Sequence, residues 1–183
     1  MSTVAVGNLT RIAPLIGTAL GTVIGGWLCD FSSRLMAARN HGVYEPEFRL
    51  PVMLPATVAM AASAFGLGAA TAHGLSAIAW GVFMAIVNFA VGMGCTGIVA
   101  YTNDLCGERA GDGFGLARVA KSAFAFGLSL VFNDFVSESG VLVFFATFGA
   151  VRVGVMLSTV PLYIWGKRIR AWSERHDLLR SRE

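Results

Sequence analysis

The distribution of charge along the chain predicts its elements. Between Leu50 and Asn103 no residue is Lys, Arg, Asp or Glu. A helix crossing a bilayer core needs roughly 20 apolar residues, so this stretch is long enough for two crossings. They are divided by the polar break Thr71-Ala72-His73-Gly74. A soluble domain of this size would have to interrupt such a run with charge to make a surface. Similar apolar runs precede and follow it, and the pattern predicts five membrane-spanning helices, at 12–29, 51–70, 77–101, 114–135 and 140–166. Strands are excluded, because an open strand cannot satisfy its backbone in lipid. No segment has the dyad alternation over about ten residues that a barrel strand needs. The expected fold class is an all-α polytopic membrane bundle.

Composition agrees. The chain is 55% hydrophobic and 14% charged, where soluble domains carry about 25% charged residues. Its 22 glycines fit transmembrane helices, which use glycine more than soluble ones do. Cys29, Cys95 and Cys106 have no paired spacing and lie in or beside apolar runs, which excludes a disulfide framework or zinc site. His41, His73 and His176 fall in different loops, so no nucleophile–base pair or metal spacing exists. The chain is not expected to be an enzyme, and no catalytic residue, metal or cofactor is assigned. Residues 1–11 lack the basic-then-apolar order of a cleavable signal peptide.

Basic residues set the orientation, because cytoplasmic loops carry an excess of Lys and Arg. Arg34, Arg39 and Arg49 lie in the first loop, and Arg109, Arg118 and Lys121 lie around the start of the fourth span. Lys167, Arg168, Arg170, Arg175, Arg180 and Arg182 lie in the tail. With five spans these groups share one side, which is then cytoplasmic and includes the C-terminus. The opposite side carries Arg11 with Asp134 and Glu138. The net charge of +3 is therefore an anchoring charge, and no nucleic-acid partner is expected. Residues 1–170 form the expected transmembrane domain and 171–183 a basic cytoplasmic tail suited to anionic lipid. The sequon Asn8-Leu9-Thr10 abuts the first span and is expected to be unused.

Gly17, Gly21 and Gly25 repeat every four residues, a smooth stripe that lets helix backbones approach closely in lipid. The second span has a similar supply in Ala61, Ala62, Ala64, Gly66, Gly68 and Ala69.

Gly26, Asp30 and Arg34 are spaced at i, i+4, i+8 where the first span leaves the membrane. On a continuing helix they share one face, with Asp30 placed to cap or pair with a neighbouring helix end. This G-x-x-x-D-x-x-x-R pattern resembles the signature loop of the major facilitator superfamily. The segments Gly25–Asp30 and Asn40–Pro51 look like fungal members of that superfamily, in the C-terminal half. So do Tyr101-Thr102-Asn103-Asp104 with Glu108, Lys121-Ser122 with Phe124–Gly127, and Trp165-Gly166-Lys167-Arg168-Ile169-Arg170.

The resemblance implies helices eight to twelve of a twelve-helix secondary transporter of the plasma membrane. Such transporters bind substrate between two halves near the midplane. It implies a small organic solute, with the bilayer and an N-terminal half as partners, and a chain that is truncated and does not transport alone. The alternative from another class is a non-transporting accessory subunit, which predicts a partner chain on the Gly17/Gly21/Gly25 face.

Asn88 lies near the centre of the third span, where an amide is costly in lipid and should face the bundle or a cavity. It is read either as a substrate hydrogen bond or as a helix–helix one. Arg152 lies near the middle of the fifth span, where insertion costs about 2.5–3.5 kcal/mol. It is read as an anion-binding or gating residue, as a drifted residue, or as the partner of a group in the other half. Arg118 and Lys121 are read as snorkelling anchors, or as gating contacts to Asp104, Glu108 or Asp112.

Overall fold

A computed structural model describes residues 3–161 and 163–166. The expected tail, 171–183, and the basic run 167–170 lie outside the described residues. Among the described residues the chain is helical throughout, with no strand. Five helices are long and apolar enough to cross a membrane.

Helices α1, α3 and α4 run past their apolar stretches into polar sequence. Helix α1 spans Thr3–Arg39, about 55 Å at 1.5 Å per residue, and so carries Asp30 and Arg34 on one continuous helix. It ends at His41 and Gly42, both in the left-handed region at φ 56° and 81°. The Gly42 N–H bonds back to Ala37 O at 2.9 Å, the closing bond of a helix C-terminal motif that favours glycine. A 3-10 segment, Pro46–Val52, then leads into α2, Met53–Ala72.

The polar break between the second and third spans is shorter than the composition suggested. Helix α2 absorbs Thr71 and Ala72, and the chain turns at Gly74 with φ 60°. Ser76 caps α3, Ala77–Cys106, its hydroxyl accepting from Ala79 N at 3.4 Å. After a 3-10 turn at Gly107–Arg109 come α4, Ala110–Ser139, and α5, Val141–Leu157. Helical structure resumes after Ser158 as far as Gly166, apart from residue 162, which is not described.

Helix α3 is the centre of the packing, with α1 on one side, α2 on another and α5 behind α2. The glycine stripe of α1 makes the closest of these contacts. A Cβ on Gly17 or Gly21 would lie 2.1 Å from Ala85 O or Phe89 O, and one on Gly25 would lie 2.9 Å from Met93 Cα. These partners rise by four along both helices, so α1 and α3 run parallel. Cys29, Val52, Ala56 and Met93 form a buried cluster beneath this seam. Small residues of α2 serve the same end: Gly66 sits against the Phe83 ring and Ala64 against Gly149 of α5.

Helix α4 is different. None of its most apolar window is buried, and its main attachment is a cluster of rings. Phe132 and Phe135 meet Phe144 and Phe148 of α5 with centroids 4.9–6.3 Å apart.

Candidate functional site

The charged residues that the structure gathers lie at one end of the bundle, where α1 and α3 leave the apolar layer. Pro46 starts the 3-10 segment that carries Arg49 back across this end. Two hydrogen bonds dock the segment on α1: Ser32 Oγ donates to Phe48 O at 2.9 Å, and Cys29 Sγ donates to Arg49 O at 3.9 Å. The Arg49 side chain then spans two helices. Its Nη1 is 3.3 Å from Asp30 Oδ1 on α1, and its Nε is 2.6 Å from Asp104 Oδ2 on α3. The Tyr44 hydroxyl donates to the same Asp104 oxygen and accepts from Arg49 Nε at 2.9 Å.

Burial differs within the group. The Arg49 and Asp104 side chains are 23% and 24% exposed, and Asp30 is 60% exposed. The Arg49–Asp104 bond is thus the stronger one, since exposed ion pairs are screened and contribute little. Burial, then the hydrogen bond to Asp104, holds the Tyr44 phenol above the ordinary tyrosine range. Tyr44 therefore keeps its proton at neutral pH and stays a donor. A shallow depression of about 290 Å³ beside this group is lined by Asp30, Ser33, Arg34, Ala37, Tyr44 and Arg49.

The signature residues separate on inspection. Gly26 lies beside Thr96 of α3, Asp30 pairs with Arg49, and Arg34 is exposed at the depression. Asp104 joins Arg49 and Tyr44, and Arg118 and Lys121 are not brought to it. Both are exposed on α4 and make no ion pair among the described residues. Asn88 Nδ2 donates to Met84 O of its own helix at 2.8 Å, a third arrangement besides the two expected. Arg152 is exposed on α5. No group of three His, Cys, Asp or Glu is gathered among the described residues.

Sequence reasoning used Arg49 only for topology and gave Tyr44 no role. Their spacing of five residues around Pro46 was the available signal, since a proline-started turn can fold such a pair onto one acceptor.

The glycine stripe is occupied within the chain by α3, so it does not offer the partner-chain face that the accessory-subunit alternative required.

The chain is similar to protein HOL1 of Saccharomyces cerevisiae, with 27% identity over 175 residues, 91% of this chain and 28% of that protein. It is similar to the MFS transporter cpaT of Aspergillus oryzae, with 31% identity over 164 residues, 85% of this chain and 32% of that protein. A probable efflux pump of Aspergillus flavus, mfs2, is 24% identical over 91% of this chain and 40% of its own length. The chain thus spans between about a quarter and two fifths of the length of these curated relatives. No protein-family model and no solved structure matches the chain.

Proposed function

The chain belongs to the major facilitator superfamily, with fungal transporters as its relatives, and from that premise we propose that it works as part of a secondary transporter moving a small organic solute. Two of these relatives are named as a transporter and a probable efflux pump, not as enzymes. The observation that carries the reading is the extent of the similarity, which covers 85–91% of this chain in each of the three.

In this reading the five helices are the eighth to twelfth of a twelve-helix protein, and residues 1–170 belong to its C-terminal half. The end carrying Asp30, Arg49 and Asp104 faces the cytoplasm of a plasma-membrane protein, together with the C-terminus. There Arg49 ties α1 and α3 together when that side is closed. Arg118 and Lys121 act as anchors on the same side, and Arg152 takes its partner from elsewhere in the transporter. Alternating access rocks one half against another around a midplane site. Residues 1–183 taken alone therefore carry no solute.

The test is flux in vesicles containing the native full-length protein that carries these residues. Arg49→Ala and Asp104→Asn should each cut flux severalfold with protein still in the membrane. Unchanged flux would remove the Arg49 group from the mechanism. Flux from residues 1–183 alone would contradict the need for a second half.

A further inference from the structure

Helices α2 and α5 run antiparallel and separate toward the Arg49 end. In their middle they touch, where a Cβ on Gly149 would lie 2.9 Å from the Ala64 Cβ. About 16 Å along each at 1.5 Å per residue, Met53 of α2 and Val160, past the turn at Ser158, instead line a cavity of about 190 Å³.

The floor of this cavity is Met53 and Met156. Both reach α3, where a Cβ on Gly94 would lie 3.8 Å from Met53 Sδ and 3.5 Å from Met156 Cε. Thioether side chains are flexible and fill irregular spaces. No charged residue lines the cavity. Thr57 does, but its hydroxyl donates to Met53 O at 2.7 Å, so its proton needs no partner from a ligand. Dry apolar cavities of about 150 Å³ take up apolar guests such as benzene. This one is of that kind and larger.

The mouth opens sideways between Leu54 and Leu157, which are 57% and 49% exposed. Tyr163 borders it and Trp165 follows, both exposed. Such aromatics sit at the headgroup level of a bilayer, and Leu50 of the lining directly follows the charged Arg49. The cavity therefore lies just inside the boundary between headgroups and hydrocarbon.

Another helix or a lipid tail would fit against such a mouth, and the side chains around it favour the tail. Helices that meet in lipid do so over small residues. Here α1 meets α3 over Gly17, Gly21 and Gly25, and α2 meets α5 at Ala64 and Gly149. The mouth has Leu54 and Leu157, and the same faces continue one or two turns on with Val58 and Ile164, all large, branched and exposed.

We propose that the cavity between α2 and α5 binds one acyl chain of a phospholipid from the leaflet at the Arg49 end. The seated chain restores the dispersion contacts that an empty void forfeits and joins the two helices where they stand apart. The inference needs only that the chain spans a bilayer, so it does not depend on the transporter reading.

The test uses the native full-length protein that carries these residues, in vesicles of dioleoyl phosphatidylcholine with a trace of the same lipid bearing a diazirine midway along one tail. After irradiation, label is mapped by peptide. It should concentrate on Met53, Leu54, Met156 and Val160, well above Leu15 and Val23 of α1, which are equally open to lipid. Val160→Trp and Leu157→Trp fill the cavity from its exposed rim, and each should cut that label severalfold in protein that still elutes as the native form. Val155→Trp, exposed on α5 but outside the lining, should leave it unchanged. Label spread evenly over the exposed apolar residues would mean an ordinary lipid annulus and overturns the site. So does absence of label from the lining, since protein then covers it, and so does label that both rim tryptophans leave intact. Stronger labelling of these residues by a diazirine-bearing sterol in parallel vesicles overturns the choice of an acyl chain.

Discussion

Helices α1 and α4 are both long, apolar and rich in glycine, yet the glycines do opposite things. Those at 17, 21 and 25 lie where a Cβ would come within 2.9 Å or less of the α3 backbone. Those at 111, 113, 115 and 127 of α4 have nothing within 4 Å. The first set is a packing device, and its surroundings come from this chain. Nothing among residues 3–161 and 163–166 covers the second set, and in the transporter reading lipid or other helices do. Small residues at helical spacing thus report a close neighbour only when something actually fills the stripe.

The largest expected effect is on that contrast. Gly21→Leu puts a side chain where the Phe89 carbonyl stands and should abolish the monodisperse, folded protein in detergent. Gly127→Leu, in open space, should leave its elution and melting temperature unchanged. A tolerated Gly21→Leu would mean that the two helices are not in backbone contact.

A second effect separates the tethered end of α1 and α3 from exposed α4. Arg49→Ala removes charge-assisted bonds to two helices and should lower stability by about 1–2 kcal/mol. Lys121→Ala, on exposed α4, should be neutral. The comparison is read as melting temperature, and equal shifts would deny Arg49 its special place.

The attachment of α4 to α5 is weaker. Phe148→Ala removes one ring of the cluster, each aromatic pair contributing about 0.5–1.5 kcal/mol. It should increase protease cleavage between α4 and α5 without moving the melting of the α1–α3 pair. If the main transition shifts instead, α4 is more firmly joined than its exposure implies.

The smallest effect is on pH. Tyr44 has a raised folded value, so its bond to Asp104 is fully present below the unfolded phenol value of about 10 and is lost as pH rises through the higher folded value. Tyr44→Phe should therefore destabilise equally from about pH 6 to 9, measured as the difference in melting temperature. A difference that fades within that window would mean that Tyr44 ionises earlier.

Much of the fold was legible because charge is excluded from lipid: the absence of Lys, Arg, Asp and Glu from 50–103 needs no tertiary information to interpret. Helix ends were not legible, because polar residues such as Asp30 and Arg39 extend a helix into water as readily as they end it. Asp30 could be singled out from its spacing with Gly26 and Arg34. Its partner Arg49 could not, since nothing local tells which of several loop arginines a turn will bring back. Only the parallel register of α1 and α3 aligns Thr18 and Thr22 with Gly92.

That register is the central claim, and cross-linking measures it most directly. Gly26→Cys and Thr96→Cys should form a disulfide readily in the native membrane, in a background with Cys29, Cys95 and Cys106 replaced by alanine. The Gly26 Cβ would lie 3.9 Å from Thr96 Cγ2. Gly26→Cys with Asn88→Cys, displaced by about 12 Å along α3, should not. Efficient cross-linking of the 26/96 pair alone is the predicted result. Failure of that pair, or equal reaction of the 26/88 pair, would contradict the parallel seam.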